Sequence, residues 1–254
     1  MSPAHTDAPQ APVRPRIGGL GWTWILCFGS IALAFPAYSL AVFSFGLERR
    51  GVANVMSVHI AIAYWLGIFA AYLPFRALRR RSRFERLQLV VLPFVIASYV
   101  THLTWELVWL LTHEAIAGAR EKIWAYPWWA YMDGGDLRYL NPEPEFVMIE
   151  ILSVTNALVG VTGLILLFRS RFTDIRGVLM VMATAVTHTV LTWQYYGSEI
   201  IAGFPAVNTD SFMDLGVRFI FLNGPWLVAP WFVLAWGYLL LARMDRRGVA
   251  EESS

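Results

Sequence analysis

The chain encodes an all-α polytopic membrane helix bundle with about six transmembrane helices. Hydrophobic residues fill 57% of its 254 positions and charged ones only 15%, against roughly 25% charged in a soluble domain. Its apolar residues fall into six runs, each close to the ~20 residues that a spanning helix needs. Basic residues gather in alternate connections, as a membrane bundle requires.

The first run is Leu20–Phe45. It follows residues 1–16, a stretch with four prolines that reads as a disordered tail. The run is too long for a cleaved signal peptide and lacks a small-residue cleavage site, so it is read as a true helix. Val55–Phe75 and Leu87–Leu111 come next, then Phe146–Phe168, Val178–Tyr196 and Val217–Leu241. Polar residues or proline interrupt the last two, which leaves their ends open. One integral membrane domain over 17–243 is expected, with a polar tail at 244–254.

Fourteen of the 20 basic residues precede the first run, join the second to the third and the fourth to the fifth, or follow the sixth. Arg76, Arg79, Arg80, Arg81, Arg83 and Arg86 form the densest group. The remainder, Arg49, Arg50, Arg120, Lys122, Arg138 and Arg218, is assigned to the opposite side. The positive-inside bias then puts both termini in the cytoplasm, at a bacterial inner membrane or, in a eukaryote, the endoplasmic reticulum. A net charge of +2, with no basic stripe among aromatics, excludes a nucleic-acid partner. A single cysteine, Cys27, excludes an intrachain disulfide and a cysteine-rich metal site.

The longest connection runs from Thr112 to Glu145 and holds Trp124, Tyr126, Trp128, Trp129, Tyr131 and Tyr139. Some of these fit an interfacial aromatic belt. Asp133-Gly134-Gly135-Asp136 is a turn signal, and Pro142 and Pro144 suit a helix start. The whole reads as a structured lid over the extracytoplasmic mouth of the bundle.

Two ionisable groups, His102 and Glu106, lie inside the third run. At such depth they cost several kcal/mol unless they face the bundle interior or a wet cavity, so a functional site is the default reading. Spacing i, i+4 puts both on one helix face. Other runs add inward polar groups: Glu150 with Ser153 in the fourth, the stripe Thr184, His188 and Thr192 in the fifth, Asn223 and Trp226 in the sixth. Pro225 predicts a kink beside the last two. Plainer explanations exist for most of these. Thr bonds its own backbone, Asn223 can glue helices, and Trp226 can pack. Two costly groups on one face are harder to explain by packing. As metal ligands, His102, Glu106 and Glu150 make a thin set, and no His-Glu-x-x-His pattern occurs; neither metal nor cofactor is expected.

Four blocks occur in order: His102-Leu-Thr-Trp-Glu106; Trp128-x-x-Tyr131 with Gly135-Asp136-Leu137-Arg138-Tyr139; Met148-Ile149-Glu150; and Asn223-Gly224-Pro225-Trp226. In this the chain resembles the emopamil-binding proteins, sterol Δ8–Δ7 isomerases of the EXPERA family. The likeness covers roughly 55–241, and the first run looks like an addition to the five-helix family pattern. It implies a cofactor-free isomerase that shifts a carbon–carbon double bond through a carbocation. His102, Glu106 and Glu150 would be the acid/base groups, with His102 and Glu106 acting as one unit opposite Glu150. Asn223, Trp226, Trp105, His188 and Tyr131 would line the cavity and stabilise the cation, and Asn223 would hold one carboxyl. Such chemistry needs an acid, a base for a different proton, an aromatic face for the cation and a dry cavity. Departures from the family fall at Thr187-His188, Gly224-Pro225 and Glu143-Pro144-Glu145. They widen the expected substrate from a sterol to a sterol-like or other polycyclic terpenoid lipid. A membrane terpene cyclase using the same acid, or a non-catalytic binder of lipids, sterols or amines, are the alternatives. The partners expected are that hydrophobic lipid and the membrane's own; a homodimer is compatible with the sequence.

Overall fold

The computed structural model describes residues 18–133 and 135–252; the expected N-terminal tail lies outside the described residues. Among these the chain is all α-helical, with no strand. We number the helices α1 (Gly19–Phe43), α2 (Arg49–Phe69, continued by a 3₁₀ turn to Tyr72), α3 (Arg83–Ala117), α4 (Tyr126–Met132), α5 (Pro144–Arg169), α6 (Ile175–Ala202) and α7 (Phe212–Arg246). All except α4 are long and apolar enough to cross a membrane. The protein is a polytopic helix bundle.

Local chemistry sets the boundaries. Glu48 caps α2 by accepting the backbone N–H groups of Arg50 and Gly51, and those bonds hold its carboxyl below the usual range. Ser82 and Glu85 form a reciprocal capping box at α3. Pro144 occupies the first turn of α5, where no N–H is needed. α6 stops at Gly203, whose φ of 80° closes the helix in the left-handed region.

The connections α1–α2, α3–α5 and α6–α7 meet at one end of the bundle. There Arg50 donates to the Asp133 carbonyl at 3.0 Å and to Asp214 at 2.6 Å. Leu137 N–H bonds the Ala206 carbonyl across two of these connections. Six alternating spans require this meeting. The connections rich in arginine lie at the other end.

Apolar packing of α3, α5, α6 and α7 around Phe94, Leu167, Val181 and Trp236 forms the main core. A second aromatic cluster, with Trp109, Tyr139, Phe146 and Phe219, sits beneath the long connection. Helix α1 stands apart, with only Ala34 and Ser39 buried. It is fastened to α2 through His59, whose ring nitrogens lie 3.0 Å from Ser30 Oγ and 3.2 Å from Tyr38 Oη.

Three expectations change. The third span begins at Arg83 and ends at Ala117, so it takes in residues assigned to connections on both sides. The sixth span begins at Phe212, ahead of the expected Val217, and Arg218 within it is fully buried. It is tolerated there because Asp214, Asn54 and Ser57 occupy its guanidinium. The backbone also stays helical to Glu252, which makes the described part of the polar tail an extension of the last helix.

Two stretches are wound as π-helix. One is His102–Glu106, where Leu107 N–H reaches back five residues to the His102 carbonyl. The other is Phe212–Phe221. Such turns recur at functional sites because the extra residue re-aims side chains. Each of these stretches adjoins the cavities described next.

Candidate active site

A chamber of about 1210 Å³ runs between α1, α2 and α3, and residues of the long connection and α7 complete its wall. Most of its wall is apolar: Phe28 and Phe35 from α1, Ile60 from α2, Leu92 and Ile96 from α3. The face of α3 that borders it extends from Leu89 to Glu106, about 25 Å at the rise of an α-helix. Glu106 closes the end of that stripe next to the connection. Among the described residues it is the only carboxylate or imidazole in the chamber wall. Trp105, Tyr131, Asn223 and Trp226 also line the chamber.

Behind Glu106 lies a second, polar cavity of about 70 Å³. That exceeds the roughly 10–15 Å³ a single water requires. His102, Glu106, Glu150, His188, Asn223 and Trp226 all border it. Six of the eight residues expected to act in the site thus converge on one space, from α3, α5, α6 and α7. Glu106, Tyr139, Asn223 and Trp226 belong to both cavities and form the partition between them.

The π-turn directs His102 and Glu106 inward together, 5% and 8% exposed. His102 Nδ1 lies 3.1 Å from Glu106 Oε1. The approach is close but too bent for a hydrogen bond. Nδ1 and Glu106 Oε2 have no hydrogen-bond partner among the described residues. His102 Nε2 lies 3.0 Å from His188 Nε2, and their rings stack at 5.1 Å.

Trp226 donates its indole N–H to Ser98 Oγ at 2.8 Å. Its ring is thereby held 6.0 Å from the His102 ring and 5.0 Å from Tyr64. Trp105 stacks on Trp128 at 5.2 Å, a flat aromatic wall under the long connection.

Glu150 borders the small cavity but not the chamber. Its Oε1 accepts the hydroxyl of Tyr139 at 2.8 Å, and Tyr139 borders both spaces. Glu150 therefore reaches the chamber through Tyr139, which the sequence reading left among the lid aromatics. His188, expected to contact substrate, lies behind His102 and outside the chamber wall. Asn223 departs from expectation as well. It holds no carboxyl; its amide donates to Tyr131 Oη at 3.0 Å and to the Arg218 and Phe219 carbonyls. The π-helix frees those carbonyls from their usual partners. Pro225 has no N–H to offer the Phe221 carbonyl, which instead takes Trp65 Nε1 at 2.9 Å.

Thr184 and Thr192 are structural. Thr184 Oγ1 meets Tyr99 Oη at 2.6 Å and Thr192 Oγ1 reaches the Trp226 carbonyl. Ser98 and Tyr139 were missed. Ser98 carried a signal, since Ser98, His102 and Glu106 repeat at four-residue spacing on one face. Tyr139 stands in the second resemblance block, but nothing in the sequence pairs it with Glu150.

No protein-family model matches the chain, and no solved structure matches it.

Proposed function

We propose that the protein is a membrane-embedded isomerase that shifts a carbon–carbon double bond in a sterol-like or other polycyclic terpenoid lipid. The observation that carries this reading is the partition itself. A carboxyl, Glu106, borders a greasy chamber directly, and a second carboxyl, Glu150, reaches the same chamber through the Tyr139 hydroxyl.

Protonated Glu106 gives its proton to one alkene carbon, and the positive charge forms on its neighbour. The faces of Trp226 and Tyr64 stabilise that cation, by about 2 kcal/mol for a desolvated ring. Tyr139 Oη then takes a proton from a different carbon while passing its own to Glu150. The double bond has moved, Glu106 is ionised and Glu150 is protonated. The small cavity that both carboxyls border returns the proton to Glu106, so no cofactor is consumed. The apolar chamber wall keeps water from capturing the cation as an alcohol. His102, beside Glu106, belongs to the acid unit. We place the arginine-rich end and both termini in the cytoplasm, at a bacterial inner membrane or an endoplasmic reticulum.

Incubation of the purified protein with Δ8-sterols and polycyclic terpenoids in heavy water tests the reading. Deuterium in a product with a shifted alkene supports it. A newly cyclised product points to a terpene cyclase. Tight binding with no product from any of them points to a carrier.

A further inference from the structure

We infer that His188 is a positioning residue that fixes the tautomer of His102 and so confines the transferable proton to the His102–Glu106 contact. The inference deepens the isomerase reading and rests on it only for its catalytic consequence.

The hydrogen positions follow from donors and acceptors. An indole N–H only donates, so Trp226 Nε1, 2.8 Å from Ser98 Oγ, makes that oxygen an acceptor. The Ser98 hydroxyl must place its own hydrogen elsewhere. Among the described residues its remaining partner is His188 Nε2, at 3.2 Å; unlike Thr101 and Thr104 on the same helix, it bonds no backbone carbonyl. His188 Nε2 therefore carries no hydrogen and accepts. The same bare nitrogen lies 3.0 Å from His102 Nε2. Two bare nitrogens at that distance would repel, so His102 carries its hydrogen on Nε2 and donates to His188, whose single Nε2 lone pair is shared between His102 and the Ser98 hydroxyl in a three-centre bond.

The consequence falls on the other side of the His102 ring. With Nε2 committed, any further proton of the unit belongs to Nδ1 or to Glu106, whose Oε1 lies 3.1 Å away. It sits either on the carboxyl or on the imidazole, and in both cases leaves through Glu106 into the chamber. Trp226, Ser98, His188 and His102 are thus one oriented chain, and the residue whose ring faces the cation also sets the direction of the acid. His188 touches neither the chamber nor the substrate; it acts through His102.

Imidazole ¹⁵N NMR of the histidine-labelled protein in nanodiscs reads this without substrate. The expected spectrum has His188 protonated on Nδ1 with a bare Nε2, and His102 protonated on Nε2. His188 protonated on Nε2 in the wild type overturns the inference, whatever the protein's activity. In Ser98→Ala, whose hydroxyl no longer donates, His188 is expected to become a mixture of tautomers; an unchanged spectrum overturns the inference. Where turnover is established, His188→Leu lowers kcat by about 10²-fold, the lower end of what a positioned acid contributes, with KM little changed. His188→Gln restores most of it, because its side-chain carbonyl accepts from His102. Equal kcat in both variants overturns the positioning role. Loss of all turnover in the wild type, with the expected tautomers intact, overturns the isomerase reading and leaves the chain of hydrogen bonds standing.

Discussion

The hydroxyl of Tyr139 donates to Oε1 of Glu150 at 2.8 Å, and the same side chain borders both the chamber and the small polar cavity. This bond makes a carboxyl that lies outside the chamber available to it. Tyr139→Phe keeps the ring and its edge contact with Phe146 but removes the hydroxyl. We expect it to lower turnover by about 10²–10³-fold, within the range of a general acid or base, while ligand affinity stays within a few-fold. Glu150→Gln should cost as much. The double variant should be little worse than either single one, since residues acting in series are not additive. Steady-state kinetics of the three proteins in vesicles decide the matter, and additive losses would separate Tyr139 from Glu150.

Glu106 Oε2 is buried without a partner among the described residues, in a wall that is mostly apolar. A tertiary amine on a polycyclic frame would bring a positive charge where the carbocation forms. Such compounds should bind the wild type and weaken by about 10–100-fold in Glu106→Gln, the loss of one charge-assisted contact. A neutral hydrocarbon of the same shape should bind both proteins alike. Equilibrium binding in nanodiscs measures this; equal amine affinities would mean that Glu106 does not face the ligand's charge.

The six spans were legible because hydropathy states a bilayer requirement directly, and the His102–Glu106 pair because two costly groups shared one face. What periodicity does not state is depth. It placed His188 inward, correctly, but could not separate a residue of the chamber wall from one behind it. Arg218 stands at the edge of the sixth apolar run with no sign in the sequence of what holds it; the partners that make its burial tolerable, Asn54 and Ser57, lie some 160 positions away. The π-stretch at His102–Glu106 has no proline or glycine to announce it, and Gly216 and Pro225 near the other predict a break but not its winding; yet the two stretches re-aim Glu106 and free the carbonyls that hold Asn223. Tyr139 stayed hidden among six aromatics until coordinates gave it a partner.

The buried pair Asp214–Arg218 ties α7 to α2. Arg218 donates to Asp214, to Asn54 at 2.6 Å and to Ser57 at 3.1 Å, and Asp214 also accepts from Arg50 at 2.6 Å. Asp214→Asn leaves a buried guanidinium without its counter-charge and should destabilise the protein by about 3–5 kcal/mol. Asp214→Asn with Arg218→Met removes both charges and should cost less than the sum of the two single changes. Thermal unfolding in detergent reports the order. A double variant no better than the sum would mean that the ions do not stabilise each other.

Gly160 on α5 lies against the ring of Tyr99 on α3, so close that an added Cβ would stand 2.0 Å from Tyr99 Cζ. No rotation of a fully buried ring avoids such an overlap, so the helices must part. Tyr99 Oη meets Thr184 Oγ1 at 2.6 Å, which joins α3 to α6 one turn from the contact between His102 and His188. Gly160→Ala should therefore lower stability by about 1–3 kcal/mol, as overpacking does, and also disturb the imidazole pair. Tyr99→Leu removes the ring and should absorb the extra methyl. The double variant Gly160→Ala with Tyr99→Leu is then expected to unfold close to Tyr99→Leu alone, well above the additive value. Unfolding midpoints that simply add would place the Gly160→Ala strain against some neighbour other than Tyr99.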